Sequence, residues 1–328
     1  MSQADEVHYA TTADGWRLAL HRYRPRRGGS GLPVLLCAGY GCNRHFVDSE
    51  EPYSLARFLA HQGFDAWPVE LRGRGRSRPT GRCRRPGAWT FDDLAGIDVP
   101  AAIAHVADIT GRRVAWVGHS MGGLVLYACL GTRPDVARLV AAGMTIASPL
   151  VFPATSRSLM ARIGQALLHV PFGDLVPQRA ALGALWNLVG WFSLDVGMNP
   201  HNIDRHAVGR ALRRAMSDVS RLKLQQLARW SVEGRFTSAD GRVDYRAALA
   251  RVTTPLLVTA GSADRIATPA SVRLALEHLP AGVASYDEFG RGHGCRVDYG
   301  HVDLVLGRGA PIEVFPTVAG WLAAHATA

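Results

Sequence analysis

Three short runs constrain this chain more than any other feature: Pro33 to Ala38 (PVLLCA), Val114 to Val117 (VAWV) and Pro255 to Ala260 (PLLVTA) are almost unbroken apolar sequence. Continuous apolar runs of this length are the pattern of strands buried on both faces, the condition of a parallel sheet covered by helices. The segments between them fit that reading. Tyr53 to Gln62 has helical periodicity, Phe64 to Val69 reads as a further strand, and Asp92 to Asp108 is an amphipathic helix with acidic residues in its first turn. Strand and helix in alternation predict an α/β fold with a mostly parallel, doubly wound sheet.

At the N-terminus, Val7 to Thr11 and Arg17 to Tyr23 flank the turn Ala13-Asp14-Gly15 and predict a hairpin. The alternation stops after Ala147. From about Pro153 to Tyr245 a helical pattern runs on without a convincing buried strand, and the strand pattern resumes at Pro255. A helix near Pro269 to Leu279, a strand at Val283 to Phe289 and a terminal helix from about Pro316 to Ala324 complete the chain. The 328 residues therefore divide into a core, 1–152 with 246–328, and a helical insertion, 153–245.

Composition narrows the function. Apolar residues make up 48% and charged residues 20%, which excludes a disordered, collagen-like or disulfide-scaffold chain. No stretch reaches the roughly 18 uninterrupted apolar residues of a membrane span, and MSQADEVHYATTADG lacks the apolar core of a signal peptide. The expectation is a soluble, cytoplasmic protein. The net charge of +10 is almost entirely arginine, since Lys223 is the only lysine. The arginines scatter through every segment, so no nucleic-acid partner is expected. Seven of them fall between Arg72 and Arg85, where a solvated loop is the plain reading and an anion site the alternative. Cys37, Cys42, Cys83, Cys129 and Cys295 are odd in number and contain no CxxC pair, so neither a disulfide framework nor a metal site is indicated.

The chemistry concentrates at VAWVGHSMGGLVLYACL, where Gly118-His119-Ser120-Met121-Gly122 joins a buried strand to a helix pattern. A GxSxG in that context is a nucleophile elbow, a turn so tight that side chains at both glycines collide. It places Ser120 at the carboxyl edge of the sheet, above a helix N-terminus that favours a developing anion. A serine hydroxyl needs a base, and the base needs an orienting group, in the chain order Ser, Asp or Glu, His. Asp264 lies just beyond PLLVTA in GSADRIATP, whereas Met144 to Pro153, the other usual place for the acid, holds no carboxylate. Thr268-Pro269 makes a better start for the following helix than Asp264 does. For the base the residues leave two candidates, His293 in GRGHGC, four residues past Phe289 and the choice from spacing alone, and His301 in DYGHVDLVLG. Two backbone N–H groups are required for the oxyanion. Met121 follows the nucleophile and supplies one; Tyr40, in the flexible Gly39-Tyr40-Gly41 after PVLLCA, is assigned the other.

LLCAGYGCNRHFVD, ELRGRGRS, VGHSMGG, GSADRIATP and DYGHVDLVLG together resemble the α/β-hydrolase superfamily over nearly the whole chain except the insertion. The last of these is similar to the HxD segment that supplies the catalytic histidine in the acid-lipase branch, and that resemblance points to His301 over His293. The chain departs from the family in carrying Ala38-Gly39 where His-Gly is frequent. The insertion resembles the helical cap of such hydrolases. Within it, Leu182 to Met198 carries Trp186, Trp191 and Phe192, read either as an apolar substrate pocket or as packing between helices.

The resemblance implies a serine hydrolase for carboxylic esters with a hydrophobic acyl or alcohol part. Its triad is Ser120, His301 and Asp264, its partner a small-molecule ester, and it needs no metal or organic cofactor. An acyltransferase or thioesterase using the same serine is the alternative, and a non-catalytic binding module for a small apolar ligand is the reading from another class.

Overall fold

The computed structural model describes residues 4–26, 28–83, 85–152, 173–180 and 197–325. Eleven strands are described: β1 (Glu6–Thr11), β2 (Trp16–Arg22), β3 (Pro33–Cys37), β4 (Asp65–Glu70), β5 (Arg78–Pro79), β6 (Val114–His119), β7 (Val140–Ile146), β8 (Leu175–Val176), β9 (Val219–Ser220), β10 (Leu256–Gly261) and β11 (Ala284–Phe289). Nine form one sheet in the order β1-β2-β4-β3-β6-β7-β10-β11, with β5 paired to β2. β4, β3, β6, β7, β10 and β11 run parallel, and β1 and β2 add an antiparallel edge. Every residue of β3, β4, β6, β7 and β10 is buried, as their apolar runs require. β1 and β11 sit at the two ends of the sheet and keep exposed positions.

The order fixes where ligands reach the sheet. The chain leaves β3 toward β4 on one side and returns to β6 on the other, so the carboxyl ends of β3 and β6 diverge into a crevice. Cys37 pairs with Gly118 across that crevice. The loop after β3 and the turn after β6 therefore face each other. The helix Met121–Thr132 that follows β6 is apolar all round and buried along almost its whole length, which gives the turn a rigid base.

Several elements differ from the sequence reading. The terminal helix begins at Ala310, not near Pro316, and Pro316 lies in its interior. Pro311 occupies the first turn, and the buried stripe Val314, Phe315, Val318 and Leu322 carries the helix through the second proline. Pro316 forfeits the bond to the Ile312 carbonyl, but Ile312 is 58% exposed, in a turn where water can reach that carbonyl. The predicted helix Asp92 to Asp108 is continuous from Phe91 to Thr110 but contains a π turn, Leu94–Asp98. The stretch without a convincing strand contains a two-residue antiparallel pair, β8 with β9, beside the helices Arg205–Ala215 and Arg221–Glu233. The arginine cluster is not uniformly a solvated loop: Arg72 and Arg74 are 3% and 2% exposed. Arg72 is bound by Asp98 of the π turn and by Asp14.

Candidate active site

Ser120 sits between β6 and its helix with φ 53° and ψ −117°, a conformation that L residues rarely adopt. The surroundings hold it there. Its N–H donates to the Ile146 carbonyl at 2.7 Å, and its carbonyl accepts from Gly123 N, Leu124 N and the Ser148 hydroxyl. A Cβ on Gly118 would lie 2.2 Å from the Gly122 carbonyl oxygen, and one on Gly122 would lie 2.2 Å from the Cys37 carbonyl oxygen. The glycines of the motif are thus required by backbone contact on both sides of the turn.

Asp264, 2% exposed, follows β10. Its Oδ1 accepts from the Ile266 and Ala267 amides, both at 2.8 Å, and its Oδ2 accepts from His301 Nδ1 at 2.8 Å. Thr268, not Asp264, caps the next helix, with Pro269 in its first turn. The loop carrying His301 is anchored on β10 by Ala263 N donating to the Tyr299 carbonyl. His293 lies elsewhere: its side chain is 46% exposed, with Nε2 3.4 Å from Glu288 Oε1. Of the two candidate histidines, the structure brings His301 to Asp264.

His119 is a residue whose role the sequence reading did not single out. Its Nε2–H donates to the His301 carbonyl at 2.9 Å, and the two rings lie 4.7 Å apart. Burial, and then the neighbouring His301, hold its pKa well below the ordinary value, so it stays neutral. Its Nδ1 has no partner among the described residues and lies toward Gly39, whose Cβ position is 3.1 Å from it. No signal in one sequence distinguishes this histidine from a plain second residue of GxSxG. It links the nucleophile turn to the loop of the candidate base. Among the described residues no hydrogen bond joins Ser120 Oγ to His301; hydrogen bonds of this kind tighten in the complex with substrate.

The loop after β3 approaches the nucleophile closely, since a Cβ on Gly39 would be 3.1 Å from Ser120 Cβ. Gly41 adopts φ +62°, which turns the chain back. The Met121 N–H belongs to the first turn of its helix and has no helical acceptor. Neither it nor the Tyr40 N–H has an acceptor among the described residues. The end of the helix Arg205–Ala215 and the segment after it grip the same loop: Ser217 N donates to Gly41 O at 2.8 Å, Asn43 N to Ala215 O at 2.7 Å, and the Asn43 amide to Arg214 O at 2.8 Å. Trp186, Trp191 and Phe192, the predicted pocket residues, lie outside the described residues. No group of acidic, histidine or cysteine side chains suited to a metal occurs among the described residues. No helix there is long and apolar enough to cross a membrane.

Comparison with known proteins agrees with this architecture. The profile of the family described as serine aminopeptidase, S33, matches residues 34–291, a span that includes Ser120 and Asp264 but stops short of His301. Lipase member K of Homo sapiens is 24% identical, over 94% of this chain and 85% of the relative. Triacylglycerol lipase 2 of Arabidopsis thaliana is 30% identical, but the match spans 45% of this chain and 38% of the relative. Among solved structures, the monoacylglycerol lipase of Paleococcus ferrophilus superimposes with a TM-score of 0.60 over 94% of this chain and 99% of its own, at 19% identity. Sheet order, elbow and family profile agree, and the chain belongs to the serine aminopeptidase, S33, family of the α/β-hydrolase superfamily.

Proposed function

We propose that the protein is a serine hydrolase of carboxylic esters. The observation that carries the reading is the 2.8 Å bond from His301 Nδ1 to Asp264 Oδ2 beside a serine held at φ 53°. Ser120 Oγ attacks the ester carbonyl while His301 Nε2 takes the hydroxyl proton; Asp264 keeps the other ring nitrogen protonated and stabilises the imidazolium that results. The Tyr40 and Met121 N–H groups receive the oxyanion. His301 returns its proton to the leaving alcohol, and a water, activated by the same ring, releases the acid from Ser120.

The lipase names of relatives over both long and partial matches support an ester with an apolar part. Residues 153–245 act as a cap over the site in this reading, and their grip on the Gly39–Cys42 loop supports that role. An acyl acceptor other than water would make the enzyme an acyltransferase, and a thioester donor with a thiol leaving group a thioesterase, with no change in the catalytic groups.

The test is one panel of variants on p-nitrophenyl esters of increasing chain length and on a peptide p-nitroanilide. Ser120→Ala and His301→Ala are expected to lose at least about 10³-fold in kcat/KM on esters and to lose fluorophosphonate labelling. His293→Ala should stay within about threefold of the parent, since its ring does not reach Asp264. Turnover that persists in Ser120→Ala, or that disappears in His293→Ala instead of His301→Ala, overturns the assignment. Cleavage of the anilide in preference to every ester moves the substrate class to peptides.

A further inference from the structure

Arg74 is a member of the arginine cluster that the proposed reaction leaves without a role. It is 2% exposed. Nη1 donates to the carbonyls of Ala38 and Cys42, both at 3.1 Å, and Nη2 lies 3.7 Å from Met121 Sδ. The two carbonyls bracket Gly39-Tyr40-Gly41, which carries one proposed oxyanion donor; Met121 carries the other. A single guanidinium therefore touches both arms of the hole.

Its neighbour Arg72 is neutralised by Asp98 and Asp14, but no carboxylate pairs with Arg74 among the described residues. A buried cation without a counterion is costly, and carbonyl dipoles offset that only in part. A second nitrogen-bearing side chain is buried against the same loop. Lys223, 2% exposed, lies with its nitrogen 4.9 Å from the Tyr40 ring centroid. Burial, and then the charge of Arg74, lower its hold on its proton, so this side chain offers Arg74 no counterion. The negative charge that belongs beside Arg74 is the oxyanion that forms between Tyr40 and Met121 during acyl transfer.

We propose that Arg74 is a positioning residue for the oxyanion hole: it fixes the Ala38 and Cys42 carbonyls so that the Tyr40 N–H stays turned toward Ser120, and its charge is matched only when the tetrahedral intermediate forms. The inference rests on the hydrolase reading above and adds to it the group that preorganises its anion site.

The experiment compares Arg74→Met, Arg74→Gln and Arg74→Lys with the parent in ester kinetics. It also measures the affinity of each for an alkylboronic acid, which forms a tetrahedral anion on the serine, and for the uncharged product alcohol. Arg74→Met is expected to lose on the order of 10²-fold in kcat with KM within about threefold, and to bind the boronic acid weaker by the same factor. Alcohol affinity should not change, and Arg74→Lys should regain about tenfold of the loss. Arg74→Gln keeps an amide donor for one carbonyl without the charge, and carries the test if Arg74→Met fails to fold. Unchanged kcat and boronate affinity overturn the inference, and so does an equal loss of boronate and alcohol affinity, which marks a collapsed pocket. If Ser120→Ala is inactive while the Arg74 variants match the parent, only this inference falls; turnover in Ser120→Ala removes the hydrolase reading itself.

Discussion

A methyl group on Gly122 would stand 2.2 Å from the Cys37 carbonyl oxygen and 3.1 Å from that of Ala38, atoms of the strand end that opposes the nucleophile turn. Neither belongs to a flexible side chain, so the helix would have to withdraw from β3. Gly122→Ala should cost about 3 kcal/mol of stability, at the upper end of overpacking, and should cut fluorophosphonate labelling of Ser120 together with ester turnover. A parental urea midpoint in that variant would mean that the strand end yields more readily than its burial implies. The nucleophile turn was legible in the sequence because every one of its requirements is local: strand, two glycines and helix follow in unbroken order. The base was not. His293 and His301 both follow β11 at loop distance, and spacing alone favoured His293, four residues past Phe289. What separates them is a third residue, Asp264, distant in sequence and placed by the carboxyl end of another strand. His119 escaped notice for the same reason, since its bond to the His301 carbonyl joins segments from different parts of the chain.

At the scale of elements, the buried strands were legible wherever both faces are apolar. Periodicity alone does not report a change of helix pitch, which is why the π turn Leu94–Asp98 was read as ordinary helix. That turn has a partner. Asp98, fully buried, accepts from Arg72 N at 2.8 Å, Nε at 2.9 Å and Nη2 at 2.7 Å, which ties the helix to the turn after β4. Asp98→Asn leaves the guanidinium with Asp14 alone and should lower stability by about 3 kcal/mol, read as a shift in denaturant midpoint with unchanged slope. Replacing the pair together, Arg72→Met with Asp98→Leu, should recover most of that loss, because no buried charge then remains. A double variant worse than Asp98→Asn would show that the ions contribute more than their own desolvation. The terminal helix carries the complementary lesson: Pro316 reads as a start signal, and only the buried stripe from Val314 to Leu322 reveals a helix already under way.

Lys223 belongs to the whole molecule, since its nitrogen meets the ring of Tyr40, a residue far away in the sequence. Its titration is therefore linked to global folding. In the unfolded chain the ammonium is hydrated and keeps its ordinary value of 10.5; in the fold burial, and then Arg74, push it well below that. Between the two values the unfolded state holds a proton that the folded state has released, so stability rises with pH across that window and is lost as pH falls through it. Met has a stem of similar reach and no charge. Lys223→Met should accordingly raise the melting temperature most near about pH 7, and the gain should shrink toward about pH 10, where the parent no longer pays for deprotonation. The difference in stability between parent and variant should change by up to about 1.4 kcal/mol per pH unit within the window, the value of one proton. Taking the difference cancels the tyrosines and carboxylates common to both proteins. A difference that stays flat over this range would place the Lys223 nitrogen in water.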